Sequence, residues 1–125
     1  MSERQTILIV EDDEDLRRLF RTALVLAGFD VIEAGDGLEA LQRIDRMLPD
    51  LVILDLVLPG MSGVVVQQEL AAHAVTRQIP IVVITGAYVE PGALDVACLL
   101  RKPITPDELI KTVRTCMTAS QGGVV

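Results

Sequence analysis

Aromatic residues are nearly absent from this sequence: among its 125 residues are two Phe, one Tyr and no Trp. A core assembled without them has to be filled by Val, Leu, Ile and Ala, a composition suited to buried parallel strands. A basic stripe of the kind that phosphate binding demands is also missing, and the net charge is −7, which argues against direct contact with nucleic acid. No apolar run approaches the roughly 18 residues of a membrane span. The N-terminus MSERQTILIV lacks the charged start and long apolar middle of a signal peptide, so a cytoplasmic protein without membrane contact is expected. Histidine occurs once, at His73, with no partner residue for catalysis in view, and reads as a surface group. The two cysteines, Cys98 and Cys116, fall in apolar-periodic segments without CxxC spacing, which predicts buried free thiols rather than a disulfide or a metal site. Repeats, linkers and low-complexity stretches are lacking too. Residues 1–119 therefore read as one domain, followed by a Gly-containing flexible tail over 120–125.

What is present is a rhythm of short apolar runs separated by segments of helical period. The runs Ile7 to Val10, Leu51 to Leu54, Ile81 to Ile84 and Ala97 to Leu100 have strand length and do not alternate with polar residues, as in strands covered on both faces. Val31 and Ile32, between Asp30 and Glu33, look like a weaker edge strand. Helical spacing predicts helices over Leu16 to Ala27, stopped by Gly28, over Leu38 to Met47 and over Gly63 to His73. A last helix is announced by Thr105-Pro106-Asp107-Glu108, which supplies a cap, a first-turn proline and a reciprocal glutamate. Strands alternating with helices imply right-handed βαβ units. Five strands in this length fit an α/β, flavodoxin-like, doubly wound parallel sheet of order 2-1-3-4-5. Its ligand crevice lies at the carboxyl ends of the first and third strands.

The residues that follow each run explain why LVILDLVLPG carries a carboxylate inside apolar sequence. Glu11 and Asp12 follow the first strand, Asp55 the third and Thr85 the fourth, with Lys102 just past the fifth, so all of them converge on one sheet edge. Crowded carboxylates repel or hold protons. A hard cation relieves this, and Mg²⁺ suits the site because it takes oxygen ligands and leaves positions for phosphate. Asp55 can then act as a nucleophile toward phosphorus, while Lys102 and Thr85 hold the oxygens of the transferring group.

With ILIVEDDEDLRRLF, LVILDLVLPGMSG, IVVIT and RKP in order, nearly the whole chain resembles a receiver domain of two-component response regulators, the CheY-like form of this fold. The resemblance implies that a histidine kinase or a histidine phosphotransfer protein passes a phosphoryl group to Asp55, and that the domain then changes its contacts with a downstream protein still to be identified. It also implies that Asp12 and Asp55 ligate Mg²⁺ directly, Glu11 acts through a water and the carbonyl of Val57 completes the protein ligands. Such a domain is no enzyme in the ordinary sense, since it promotes only its own phosphorylation and dephosphorylation. Asp13, Glu14 and Asp15 fall instead at the start of the first helix, where negative charge meets the helix dipole. Lys102-Pro103 resembles the family's cis peptide, which fixes the direction of the lysine.

The pattern is broken in places. The aromatic residue usual three positions before the lysine is Leu99 here. Thr85 and Lys102 are 17 positions apart, with Gly86, Pro91 and Gly92 between them, so the family's fourth helix is expected to be short, irregular or missing. Thr85-Gly86-Ala87-Tyr88 resembles an atypical subgroup, in which Tyr88 either replaces the usual switch residue or is merely a loop aromatic. Val57, apolar and two positions past Asp55, cannot orient an attacking water, which predicts slow spontaneous loss of phosphate. An aspartyl-phosphate phosphatase would want an acid where Val57 stands, and a flavin or nucleotide module would want a phosphate-cradling loop where EDDED stands. A pseudo-receiver that binds partners without phosphorylation remains the alternative.

Overall fold

The computed structural model describes residues 4–90 and 92–122. In chain order the elements are β1 (Thr6–Val10), α1 (Glu14–Leu26), β2 (Asp30–Ala34), α2 (Gly37–Arg46), β3 (Leu51–Leu54), α3 (Gly63–Ala72), β4 (Ile81–Thr85), β5 (Cys98–Arg101) and α4 (Pro106–Gly122). The five strands form one parallel sheet in the order β2-β1-β3-β4-β5, as the alternation of strands and helices predicts. Successive residues of a strand point to opposite faces, so a sheet clothed on both sides needs apolar residues at every position. Ile7, Ile9, Ile53, Val82 and Ile84 pack with Phe20 and Leu24 of α1 and with Leu109, Val113 and Met117 of α4. Leu8, Val10, Val52, Leu54 and Val83 face the other way, against Ala40 and Ile44 of α2 and Val66 and Leu70 of α3.

The helix ends follow from side-chain chemistry. Asp13, Asp36 and Ser62 each accept a hydrogen bond from the backbone N–H three residues on, capping α1, α2 and α3. Glu14 and Asp15 lie in the first turn of α1, at the positive end of the helix dipole. Gly28, at φ 100°, makes the left-handed exit from α1. The Thr105 hydroxyl accepts from the Glu108 N–H at 3.1 Å while the Glu108 carboxylate accepts from the Thr105 N–H at 3.4 Å, the reciprocal cap expected for α4. That helix continues through residues 120–122, the first half of the expected tail, and residues 123–125 lie outside the described residues.

β5 departs from the expectation of a strand covered on both faces. It begins at Cys98 rather than Ala97, and its residues alternate between half-buried and exposed, with Leu99 45% exposed. The cause lies in the connection that precedes it. Among the described residues between β4 and β5 there is no helix, so no helix covers the face that Leu99 and Arg101 present. Val89, Leu94 and Val96 of that irregular connection pack instead against the α2/α3 side of the core. The buried Gln67 side chain ties it down by donating to the Asp95 carbonyl at 3.3 Å.

Candidate functional site

The carboxyl ends of β1 and β3 set two acidic residues side by side because the strands are paired in register, Val10 beside Leu54. The next residues are anchored by the same ladder. The Asp55 N–H donates to the Val10 carbonyl at 3.0 Å, and the Glu11 N–H donates to the Ala34 carbonyl of β2 at 3.1 Å. Chain departure from the site is equally constrained. The Gly63 N–H donates to the Leu56 carbonyl at 2.9 Å, and a Cβ on Gly63 would collide with the Asp55 carbonyl and the Leu56 backbone. Only glycine lets α3 start this close to the aspartate.

Carboxylate oxygens of Glu11, Asp12 and Asp55 lie within 4.8 Å of one another. Glu11 and Asp55 are buried, at 3% and 5% exposure, whereas Asp12 is open to solvent. Lys102 reaches both buried acids: its Nζ donates to Asp55 Oδ2 at 2.6 Å and to Glu11 Oε1 at 2.7 Å. The remaining oxygens are also engaged, Asp55 Oδ1 by the Val57 N–H at 3.0 Å and Glu11 Oε2 by the Asp13 N–H at 3.1 Å. The Lys102–Pro103 peptide is cis, as the sequence resemblance implies, and the Lys102 N–H donates to the Thr85 carbonyl at 3.0 Å. Thr85 ends β4 and is buried, its hydroxyl accepting from the Ala87 N–H at 3.2 Å. An oxygen-rich pocket with one ammonium at its side matches what a hard divalent cation and a phosphoryl group require together.

Burial drives the Glu11 carboxyl above its ordinary value despite the opposing Lys102 ammonium. Burial also pulls on Lys102, toward deprotonation, but its hydrogen bonds to Asp55 and Glu11 outweigh this and leave it above its ordinary 10.5. A lysine raised in the folded state contributes stability that is complete below pH 10.5 and is lost as the pH climbs through the folded value. Urea melts of the metal-free protein should therefore show an alkaline loss of stability that begins above pH 10.5 and is absent from Lys102→Met. An identical alkaline limb in that variant would mean that other groups cause it.

Not every residue singled out from sequence meets at this point. Val57 stands beside it with its side chain 62% exposed, its N–H already committed to Asp55. Tyr88 is 71% exposed, in the irregular connection, and Leu99 lies on the bare face of β5. His73 caps the end of α3 on the surface, its ring paired with the Glu69 carbonyl. One member of the site was missed. Arg17, on α1, donates Nη1 to the Glu11 carbonyl at 2.8 Å and Nε to Glu33 at 3.1 Å, and Arg21 braces the same glutamate at 3.2 Å. Its guanidinium thus fixes the peptide that carries Glu11 against β2. The only sequence signal is the basic pair Arg17-Arg18, two positions after the acidic run, which reads equally well as a solvated helix face.

A family model described as the response regulator receiver domain matches residues 7–114. The DNA-binding response regulator MtrA of Mycobacterium tuberculosis is 40% identical over 119 residues, which cover 89% of this chain and 50% of that protein. The phosphate regulon transcriptional regulatory protein PhoB of Escherichia coli is 34% identical, again across 89% of this chain and 51% of its own length. This chain thus spans about half the length of these curated relatives. Among solved structures, a sensor protein from Polaromonas sp. JS666 superposes with a TM-score of 0.86 at 30% identity, covering 94% of this chain and 99% of that one. A CheY-like receiver domain protein from Methanospirillum hungatei reaches a TM-score of 0.89 at 21% identity over 97% and 99% of the two chains, a likeness of fold.

Proposed function

This chain belongs to the response regulator receiver domain family of two-component systems, and we propose that it accepts a phosphoryl group on Asp55 from the phosphohistidine of a histidine kinase or histidine phosphotransfer protein. The observation that carries this reading is the position of Lys102 Nζ, 2.6 Å from Asp55 Oδ2, beside carboxylates grouped as a hard cation would need them. An Asp55 oxygen attacks phosphorus, the P–N bond of the donor breaks, and the imidazole leaves with its electron pair and takes up a proton. Lys102 and the Thr85 hydroxyl hold the equatorial oxygens as charge shifts onto them.

Glu11, Asp12 and Asp55, with the Val57 carbonyl, are the groups that would hold Mg²⁺, Glu11 through a water. When bound, the ion supplies positive charge that offsets the repulsion between carboxylates and phosphoryl oxygens. Arg17 keeps Glu11 in place for this role. Arg17→Ala, which strips the Glu11 carbonyl of its side-chain partner, should weaken Mg²⁺ binding about tenfold in calorimetric titration, as removal of a supporting partner usually does. An unchanged affinity would show that the backbone ladder alone sets Glu11.

The domain acts as a switch in the cytoplasm rather than as an enzyme turning over a substrate. It promotes its own phosphorylation and dephosphorylation, and it exchanges protein contacts with a downstream partner. The DNA binding named for MtrA concerns a protein of which this chain spans half, so no nucleic-acid contact is assigned to these residues. Tyr88 and the irregular connection around it are the candidate moving part, with the buried Thr85 at its root and Leu99 on the open face beside it. Because the Val57 side chain offers nothing to orient water, the acyl phosphate should decay slowly, over minutes to hours, when followed by intact mass after the donor is removed. Decay within seconds would point to another group that activates water.

The deciding experiment is intact mass after incubation with Mg²⁺ and acetyl phosphate, beside Asp55→Asn. Gain of one phosphoryl group in the parent alone supports the acceptor reading. No gain from acetyl phosphate or from a phosphorylated kinase would overturn it in favour of a pseudo-receiver that only binds partners.

A further inference from the structure

Cys98 and Cys116 stand 18 positions apart in sequence, yet their sulfurs are 2.7 Å from each other. Strand alternation and helical period produce this meeting. Cys98 is on the side of β5 that faces α1 and α4, two residues before Leu100, and Cys116 follows Val113 by about one turn along the buried stripe of α4. Both thiols are free. A disulfide needs its sulfurs at about 2.05 Å, so closing the remaining gap takes roughly 0.7 Å of movement.

We propose that Cys98 and Cys116 are a peroxide-sensitive dithiol that closes to an intrachain disulfide between β5 and α4. The roles of the two sulfurs are set by access. Cys98 is half-buried and reachable by a small oxidant, whereas Cys116 is 5% exposed, with burial and the neighbouring Cys98 pushing its thiol up to about 12. Hydrogen peroxide meets the Cys98 thiol first. A sulfur–oxygen bond forms, the peroxide bond breaks, and the departing hydroxide takes the thiol proton to become water. The Cys116 sulfur then attacks the Cys98 sulfenic acid. The sulfur–sulfur bond forms as the sulfur–oxygen bond breaks, and the Cys116 proton leaves with the hydroxide as a second water. Overall the two thiols lose two hydrogens and one peroxide is reduced to two waters. In a reducing compartment the pair rests as thiols.

The bond would act on the least supported strand of the sheet. β5 pairs with β4 alone, its opposite face is bare at Leu99 and Arg101, and it leads directly into Lys102. A covalent tie to α4 restrains both the strand and the approach to that lysine.

The test uses the full chain, treated with low millimolar hydrogen peroxide, quenched with N-ethylmaleimide and weighed intact without reductant. The expected result is a monomer lighter by two hydrogens that carries no maleimide, reverts with dithiothreitol and yields a single Cys98–Cys116 linked peptide. Its melting temperature should rise by roughly 10 °C, since an 18-residue loop is closed. In C116S, dimedone should trap a sulfenic acid at Cys98, and in C98S the remaining thiol should stay largely unmodified. Two maleimides retained under peroxide would overturn the proposal, as would a disulfide-linked dimer, or oxidation of Cys98 to the sulfinic acid without a cross-link.

Discussion

Replacing Lys102 by alanine is expected to cut the rate of phosphoryl transfer to Asp55 by about 10²–10³, the usual effect of deleting one preorganised charge donor. The ammonium lies 2.6 Å from the aspartate oxygen, and among the described residues the other donor to the Asp55 side chain is the Val57 N–H, which is neutral. A second consequence runs through stability. Glu11 and Asp55 are both buried and both held by Lys102, so its removal leaves two carboxylates facing each other out of contact with water. Breaking a fully buried pair costs about 3–5 kcal/mol. Here about 2–3 kcal/mol is expected at neutral pH, because the Lys102 side chain is 25% exposed and a carboxylate can take up a proton. Urea melts with and without Mg²⁺ separate the two effects, since the cation should restore much of the lost stability and little of the rate. If stability and rate recovered together on adding Mg²⁺, Lys102 would be serving only to neutralise charge.

Phe20→Ala should destabilise the domain by about 3–5 kcal/mol, a large share of the 5–15 kcal/mol that holds a domain of this size. Phe20 is the largest fully buried side chain, 1% exposed, and it fills the α1 side of the core against aliphatic neighbours. The one other phenylalanine of the chain, Phe29, is itself buried in the same cluster, so filling the vacated space with its ring would open a second gap. Equilibrium unfolding should show a lower urea midpoint with an unchanged slope. The folded fraction should accept phosphate normally, because Phe20 belongs to the apolar cluster and not to the polar group of Glu11, Asp12, Asp55 and Lys102. A loss below 1 kcal/mol would mean that the aliphatic core relaxes around the gap.

Much of this fold is legible in the sequence. β1, β3 and β4 are buried on both faces, so each is an unbroken apolar run ending in the polar residue that reaches the site. Counting from the end of β1 separates Asp13 from the acidic pair and puts it at the start of α1, where it caps the helix. The missing helix before β5 was foreshadowed by the 17-residue spacing from Thr85 to Lys102, although Pro91, one of its breakers, lies outside the described residues. The open face of β5 is not legible in its sequence, because Leu99 is apolar wherever it points and an apolar run does not say which of its faces the short connection leaves uncovered. The Arg17 clamp, the Gln67 tie and the meeting of Cys98 with Cys116 were invisible for a common reason. Each joins elements whose proximity is fixed by sheet order and register rather than by any local period.

The connection before β5, without a helix among its described residues, also alters how the chain finds its fold. Val82 pairs with Cys98 across 16 positions, whereas Val52 reaches Ile81 across 29 and Ile7 reaches Leu51 across 44. Closing the shorter loop saves about 0.5 kcal/mol of chain entropy relative to the β3–β4 crossover. The strand with the least cover in the finished sheet is thus the one whose pairing costs the unfolded chain least. That pairing can form before the longer crossovers, so the C-terminal strand can offer β4 an early partner while the rest of the sheet is still assembling.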